Sequence, residues 1–418
     1  MTGERSATRR EHARLGTEPI DGLRGFAVLI VVCYHTWLFS WVDPYVAFFG
    51  RALPTERFVR PGYLGVDIFF VISAFCLTYP YVVARQSRVR PPSVREFALR
   101  RALKILPSYA LALGATFWIA IAAGQVPAGV AARVFWEHAL FLQNLEYDRL
   151  GDSNSVLWSL AVEVQFYVVF PLLAWAFLRK PLITAAVMIA LAQAYRHLLA
   201  GCCLSDESVM RLLPAYLDLF AAGMLAAHVV VVLPREMPAL ASRRWLFTAL
   251  GLAGACVVFA LLGYADVGTY VKDARQWFAV SLRTAFGLAV GLFAAASCLA
   301  NGWWRRAVGN RALAWLSLVS YNVYLWHTTI EIFLAKHHVP RAVTKIPHED
   351  ATWRWEYVTL SFVAIALVSV AITYFIERPI LSLIKPQSFS YPYARLLRLA
   401  RGRRDGSRRA LTSQEWRR

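Results

Sequence analysis

Charge is in short supply: Asp, Glu, Lys and Arg make up 17% of the 418 residues, against 58% hydrophobic ones, well under the charged share of an ordinary soluble domain. Near-uncharged stretches of about 20 residues recur along the chain, and no single aqueous-phase core could bury them all. Acidic residues are scarcer still, 26 against 45 Lys and Arg, for a formal charge of +19. On a soluble domain that excess would raise nucleic acid as a partner. Here the basic residues sit between apolar runs and in both tails, where anionic lipid and the positive-inside rule put them, so no nucleic acid is expected. The six cysteines show no metal spacing: Cys33, Cys76, Cys256 and Cys298 lie in apolar runs and Cys202–Cys203 are adjacent. They read as small apolar residues, with no metal implied and nothing said about redox. No secretory signal is expected either, since the first 19 residues are polar and basic and the first apolar run is long enough to span and stay. No internal repeat of the kind that builds inverted transporter halves is visible.

What is there is a series of ten apolar spans, near 20–41, 63–84, 103–124, 156–178, 182–200, 210–233, 246–264, 278–300, 312–335 and 356–382. The fold class expected is therefore an all-α polytopic integral membrane protein with about ten transmembrane helices. Its organisation is a basic N-terminal segment (1–19), a membrane domain (20–385) and a basic tail (386–418). Alternate connections carry the positive charge: Arg85 to Lys104, Arg179–Lys180, Arg235 with Arg243 and Arg244, and Arg305, Arg306 and Arg311, joined by both tails. The opposite set holds Glu137, Glu146, Asp148, Asp152, Asp206 and Glu207, with the last connection (Lys336, Arg341, Lys345, Arg354) as an exception. Both termini are predicted to face the cytoplasm. Within the longest connection, residues 131–142 form a pattern that suits an interfacial amphipathic helix.

Ionisable residues inside spans are expensive, and each needs a reason. The candidates are Arg24, His35, Asp67, Glu163, Asp218, His327 and Glu377. Counting a rise of about 1.5 Å per residue from the span edges puts His35, Asp67, Glu163 and His327 in one layer of the outer half. Arg24 and His35 are eleven positions apart, about three helical turns, so they share a face roughly 16 Å apart along the axis. A cation near the cytoplasmic mouth and a base deep on the same face describe a channel for an anionic donor. An acyl-CoA fits, its phosphates on arginine and its thin arm reaching the histidine. Histidine is the base such a transfer to an alcohol needs, and Asp67 is placed to fix its tautomer.

These residues fall in motifs. Ile20 to His35 carries the arginine–ten residues–histidine spacing, and Gly65-Val66-Asp67-Ile68-Phe69-Phe70-Val71-Ile72-Ser73 opens the second span. Arg100 to Tyr109 precedes and enters the third span, and Trp158 to Tyr167 begins the fourth. Ser320 to His327 lies in the ninth and Glu377-Arg378-Pro379 ends the tenth. In order and spacing, from about residue 17 to 385, the chain resembles the membrane-bound acyltransferase-3 family of the O-antigen O-acetyltransferase type. Two departures, Ala74 where glycine and Ala161 where a small polar residue is usual, touch no chemistry.

The resemblance implies a multi-pass cell-membrane enzyme that moves an acyl group, in the simplest case acetyl, from acyl-CoA as donor substrate to a hydroxyl of a polysaccharide, lipid-linked sugar or macrolide-type glycoside. No bound cofactor is implied. Some relatives carry an extracytoplasmic esterase-like domain that is expected to be missing here. By position, His35, Asp67, Glu163 and His327 are the expected catalytic set, and Arg24, Arg100, Arg101, Lys104 and Tyr109 the donor-binding set. Trp158, Ser159, Tyr167, Arg211, Asp218, Tyr321, Trp326, Glu377 and Arg378 are substrate-binding or structural. Duller accounts stand beside these: Glu163 and Ser159 as a helix-packing pair, His327 and Trp326 as interface anchors, Glu377 as half of an ion pair at the inner mouth, and Arg211 pairing with Asp218. The rival function is a proton-coupled transporter or flippase using the same buried groups as a relay.

Overall fold

A computed structural model describes residues 16–42, 45–48, 51–54, 56–122, 124, 128–145, 154, 156–202, 209–270, 277–344 and 346–382. The basic tail, nearly all of the N-terminal segment, and Glu146, Asp148, Asp152, Asp206, Glu207 and Lys345 lie outside the described residues. In chain order the elements are α1 (Glu18–Ser40), a hairpin of β1 (Tyr45–Phe48) and β2 (Arg51–Pro54), α2 (Gly65–Gln86), α3 (Val94–Ala122) and α4 (Ala128–Ala139). They continue with α5 (Leu157–Arg179), α6 (Pro181–Cys202), α7 (Leu217–Glu236), α8 (Arg244–Tyr270), α9 (Arg283–Leu299), α10 (Arg311–Lys336) and α11 (Ala351–Ile372). The hairpin pairs Tyr45 with Pro54 and Phe48 with Arg51 and is a small ornament on a helical protein.

Among the described residues nine helices are long and apolar enough to cross a membrane, which makes this a multi-pass membrane protein. The tenth long helix, α10, has 26 residues but is not one of the nine. Its buried face carries Ser317, Ser320, Asn322, His327, Thr328, Thr329 and Glu331. Such a face is tolerated at membrane depth only when other helices enclose it, and α1 and α11 flank it. Asn310 caps its start, accepting from the amides of Ala312 and Leu313 at 3.0 Å each, which satisfies two otherwise orphaned donors. Outside the bundle, Val168 and Leu172 of α5, Leu182 of α6 and Leu367 of α11 present their side chains outward, as a bilayer-facing surface requires.

Two close approaches set the helix order. A Cβ on Gly223 of α7 would overlap the carbonyl oxygen of Val71 in α2, and one on Gly25 of α1 would overlap that of Leu313 in α10. Small residues let membrane helices approach to backbone contact, where packing and not hydrophobicity drives association. Gly25→Ala is therefore expected to force α1 off α10 and cost about 1–3 kcal/mol, the usual range for overpacking. A fall in the thermal midpoint of the detergent-solubilised protein would show it.

α3 begins about two turns before the span expected from hydropathy, so Arg95, Arg100, Arg101 and Lys104 ride on helix and not on a loop. The expected amphipathic segment is present as α4, shifted three residues toward the N-terminus. Tyr109 of α3 holds it by donating to the His138 carbonyl at 2.7 Å.

Candidate active site

α1 and α10 lie side by side and run in the same direction, Gly25 meeting Leu313 near one end and Thr36 meeting Glu331 near the other. This brings His35 and His327 together, His327 Nε2 lying 3.3 Å from His35 Nδ1. The surroundings settle where the protons are. His327 Nδ1 faces only carbonyl oxygens, Val323 at 3.1 Å and Tyr324 at 2.8 Å, and carbonyls only accept, so Nδ1 carries the hydrogen. In the neutral ring Nε2 is then a lone pair, aimed at His35. His35 Nδ1 also faces the Val31 carbonyl at 3.0 Å, so it too bears hydrogen, shared between the two acceptors. The lone pair of His35 is left on Nε2. A histidine partner and a main-chain carbonyl thus orient the base.

Asp67 does not orient it. Its carboxylate accepts from Arg283 Nε of α9 at 3.0 Å, and Arg283 in turn lies over the Tyr216 ring at 4.9 Å. The side of α2 that carries Asp67 faces α9, where Arg283 lies, and not His35 on α1. Glu163 lies deeper than the histidines. It accepts from Ser73 of α2 at 2.5 Å and from Tyr167, while Ser159, one turn earlier, meets the Tyr324 hydroxyl. Counting helix rise from that contact puts Glu163 roughly 10 Å below His327. The cause lies at Asn154, just before α5. Asn154, fully buried, donates to the Leu325 carbonyl at 3.0 Å and to Thr329 at 3.1 Å, and Thr328 donates to it at 2.9 Å. Asn154 thus sits at the depth of His327, and α5 starts just after it and not at the membrane edge. Non-helical backbone is tolerated at that depth because protein surrounds it. The expected Glu163–Ser159 pair is not formed.

Below the histidines a cavity of about 130 Å³ is lined by Arg24, Ser73, Arg101, Lys104, Glu163, Tyr167, Ser320, Tyr321 and Tyr324, with Phe69 and Phe70 among its apolar walls. Arg24 also donates to Cys76 Sγ at 3.3 Å. Arg101 lies over the Tyr167 ring at 5.5 Å and Lys104 over Tyr321 at 5.7 Å. Three cations face one lining carboxylate, so the cavity favours an anion. Tyr324 joins it to the base, being both cavity wall and neighbour of the His327 ring at 5.7 Å. Glu377 is buried and pairs with Lys104, and its other oxygen accepts from Asn322 at 2.8 Å, joining α3 and α10 to the π-turn at Thr373–Glu377.

The remaining candidates lie elsewhere. Arg100 and Tyr109 do not line the cavity. Trp158 packs on Tyr216 at 5.7 Å, with Arg211 over its ring, and Arg378 covers Tyr374. Trp326 packs against the core. Asp218 pairs with Arg196 through two hydrogen bonds of 3.1 and 2.7 Å, not with Arg211. Sequence reasoning passed over Arg196, Arg283 and Glu331, although each is a charge inside an apolar run, which is itself a signal.

Among known proteins, the profile described as an acyltransferase domain matches residues 18–376. The O-acetyltransferase OatA of Staphylococcus aureus is 24% identical over 350 residues, covering 77% of this chain and 51% of that protein. The peptidoglycan O-acetyltransferase OatA of Listeria monocytogenes is 26% identical over 178 residues, 40% of this chain and 26% of that one. The chain thus spans about half the length, or less, of these relatives. No solved structure matches it.

Proposed function

The chain belongs to the acyltransferase-domain family, and from that premise we propose that it is an integral-membrane O-acyltransferase taking an acetyl or other short acyl group from cytoplasmic acyl-CoA. The acceptor is a hydroxyl of a cell-envelope glycan, lipid-linked sugar or glycoside, peptidoglycan being the precedent set by the names of its relatives. Both tails lie in the cytoplasm in this reading, supported by the basic residues of alternate connections. The membrane domain runs from 20 to 385, flanked by basic segments.

The observation that carries the proposal is the pairing of a base with an anion-favouring cavity. The Nε2 lone pair of His35, oriented through His327, stands about three helical turns above Arg24, and Arg24 lines the cavity with Arg101 and Lys104. The donor's phosphates meet these cations and its thioester reaches the histidines past Tyr324. His35 Nε2 takes the proton of the acceptor hydroxyl as the oxygen attacks the thioester carbonyl. The new C–O bond forms, the C–S bond breaks, and the departing thiolate receives the proton, so no net proton is consumed.

The test is transfer of labelled acetyl from acetyl-CoA by protein reconstituted in liposomes, against glycan and glycoside acceptors. Arg24→Ala is expected to raise KM for the donor by about 10-fold to 100-fold, the value of a charge-assisted bond to phosphate, with acceptor KM unchanged. Arg24→Lys should recover part of that, since a point charge replaces a fork. Wild-type protein that moves substrate across the bilayer and acylates nothing would overturn this reading in favour of a transporter.

A further inference from the structure

The cavity and the base do not meet directly. Neither His35 nor His327 lines the cavity. The ring between them is Tyr324, a cavity wall on one side and 5.7 Å from the His327 ring on the other. Phe69 of α2, also in the wall, packs edge-on against Tyr324 with ring centroids 5.8 Å apart. Rings in that arrangement are in van der Waals contact, so no pantetheine arm passes between them. The Tyr324 hydroxyl is tied to the start of α5. It donates to the Val156 carbonyl at 3.2 Å and lies against the Ser159 hydroxyl, which donates to the same carbonyl at 2.9 Å. The backbone of Tyr324 serves the base instead, its carbonyl accepting from His327 Nδ1 at 2.8 Å. The ring can therefore turn to another staggered position about its Cα–Cβ bond while the carbonyl that orients His327 stays in place.

We propose that Tyr324 is a gate between the donor cavity and the base, latched shut by its hydroxyl on α5, and that it decides between an alcohol and water as the acceptor. The inference rests on the transfer reading above and adds the step by which the thioester gains the histidines. While the latch is made, the thioester is kept from the base. When the hydroxyl lets go, the ring swings aside and the arm passes. An acceptor alcohol at the base then takes the acyl group. With no acceptor there, water takes its place: its oxygen attacks the thioester carbonyl and the C–S bond breaks. The thiolate receives the proton lifted from water, and acetic acid leaves. Keeping a reactive group from water until the acceptor is present is what gates of this kind do. A neutral hydrogen bond is a hold weak enough to be broken in every turnover.

Tyr324→Phe removes the latch and keeps the ring, and the Val156 carbonyl still accepts from Ser159, so no buried acceptor is orphaned. Hydrolysis of acetyl-CoA without acceptor is expected to rise by about 3-fold to 10-fold, the worth of one neutral hydrogen bond, with acetyl transfer within about threefold of wild type. A merely structural role would lower hydrolysis and transfer together. A second measurement reads the passage without any acyl transfer. Protein carrying His35→Cys is treated with the mixed disulfide of CoA and 2-thiopyridine. The thiolate at position 35 attacks the CoA sulfur and thiopyridine leaves, and mass spectrometry of the peptides gives the rate. Adding Tyr324→Phe is expected to speed labelling at position 35 by the same factor. Cys76, which touches Arg24 of the cavity wall, should be labelled at an unchanged rate. Unchanged hydrolysis in Tyr324→Phe, or labelling at position 35 that ignores the substitution while Cys76 reacts, would overturn the gate and leave the donor reading standing. Labelling at neither position in either protein would remove the donor from the cavity and the gate with it.

Discussion

His35→Ala is expected to insert, fold and bind acyl-CoA like wild type while its kcat for acyl transfer drops by about 10²–10⁴, the usual worth of a positioned general base. Folding should survive because the ring is only half-buried and its Nδ1 contacts are the Val31 carbonyl of its own helix and His327. Donor binding should survive because the cations of the cavity lie about three turns away. His327→Ala should cost less, since it removes the ring that steers the base and leaves Val31 to hold the tautomer. The double variant should be little worse than His35→Ala alone, because residues acting as one unit are not additive. Isothermal titration with a non-transferable CoA analogue, beside labelled acetyl transfer, checks both halves. Loss of CoA binding together with activity would mean that His35 serves the donor site, and transfer at the wild-type rate would remove it from the chemistry.

Much of this site is legible in the amino-acid sequence, and the legible part shares one property: it lies within a single helix. Eleven positions between Arg24 and His35 fix a common face whatever surrounds it. The polar residues from Ser320 to His327 likewise report a helix that must be enclosed. The illegible part depends on how helices meet. Which neighbour Asp67 faces is decided by the packing of α2 among α1, α7 and α9, where Arg283 waits. Counting from a membrane edge misplaces Glu163, because Asn154, just before α5, is held at the depth of Leu325. Glu331 escapes notice because it falls near the predicted end of the ninth span, where an acid is cheap in water. In the folded chain that position is sealed by α1 and α11.

Removing Asp218 is expected to be the most destabilising single change in the bundle. Arg196 and Asp218 are both fully buried, joined by two hydrogen bonds. Arg196 also donates to the Ala215 carbonyl at 2.6 Å and to Thr284 at 2.8 Å, while Thr284 donates to Asp218 at 2.5 Å. The cluster ties α6, α7 and α9 together beside the Asp67–Arg283 pair. Asp218→Ala leaves a guanidinium in an apolar interior without its counter-ion, a change worth about 3–5 kcal/mol. The variant should accumulate poorly or show a lower thermal midpoint in detergent. Replacing both partners by apolar residues of similar volume should recover much of the loss, because it removes the stranded charge along with the pair. That comparison distinguishes a structural clamp from a substrate-binding acid. If the double replacement restores the midpoint and transfer returns with it, Asp218 holds helices in register. If stability returns and activity does not, the acid works on the acceptor.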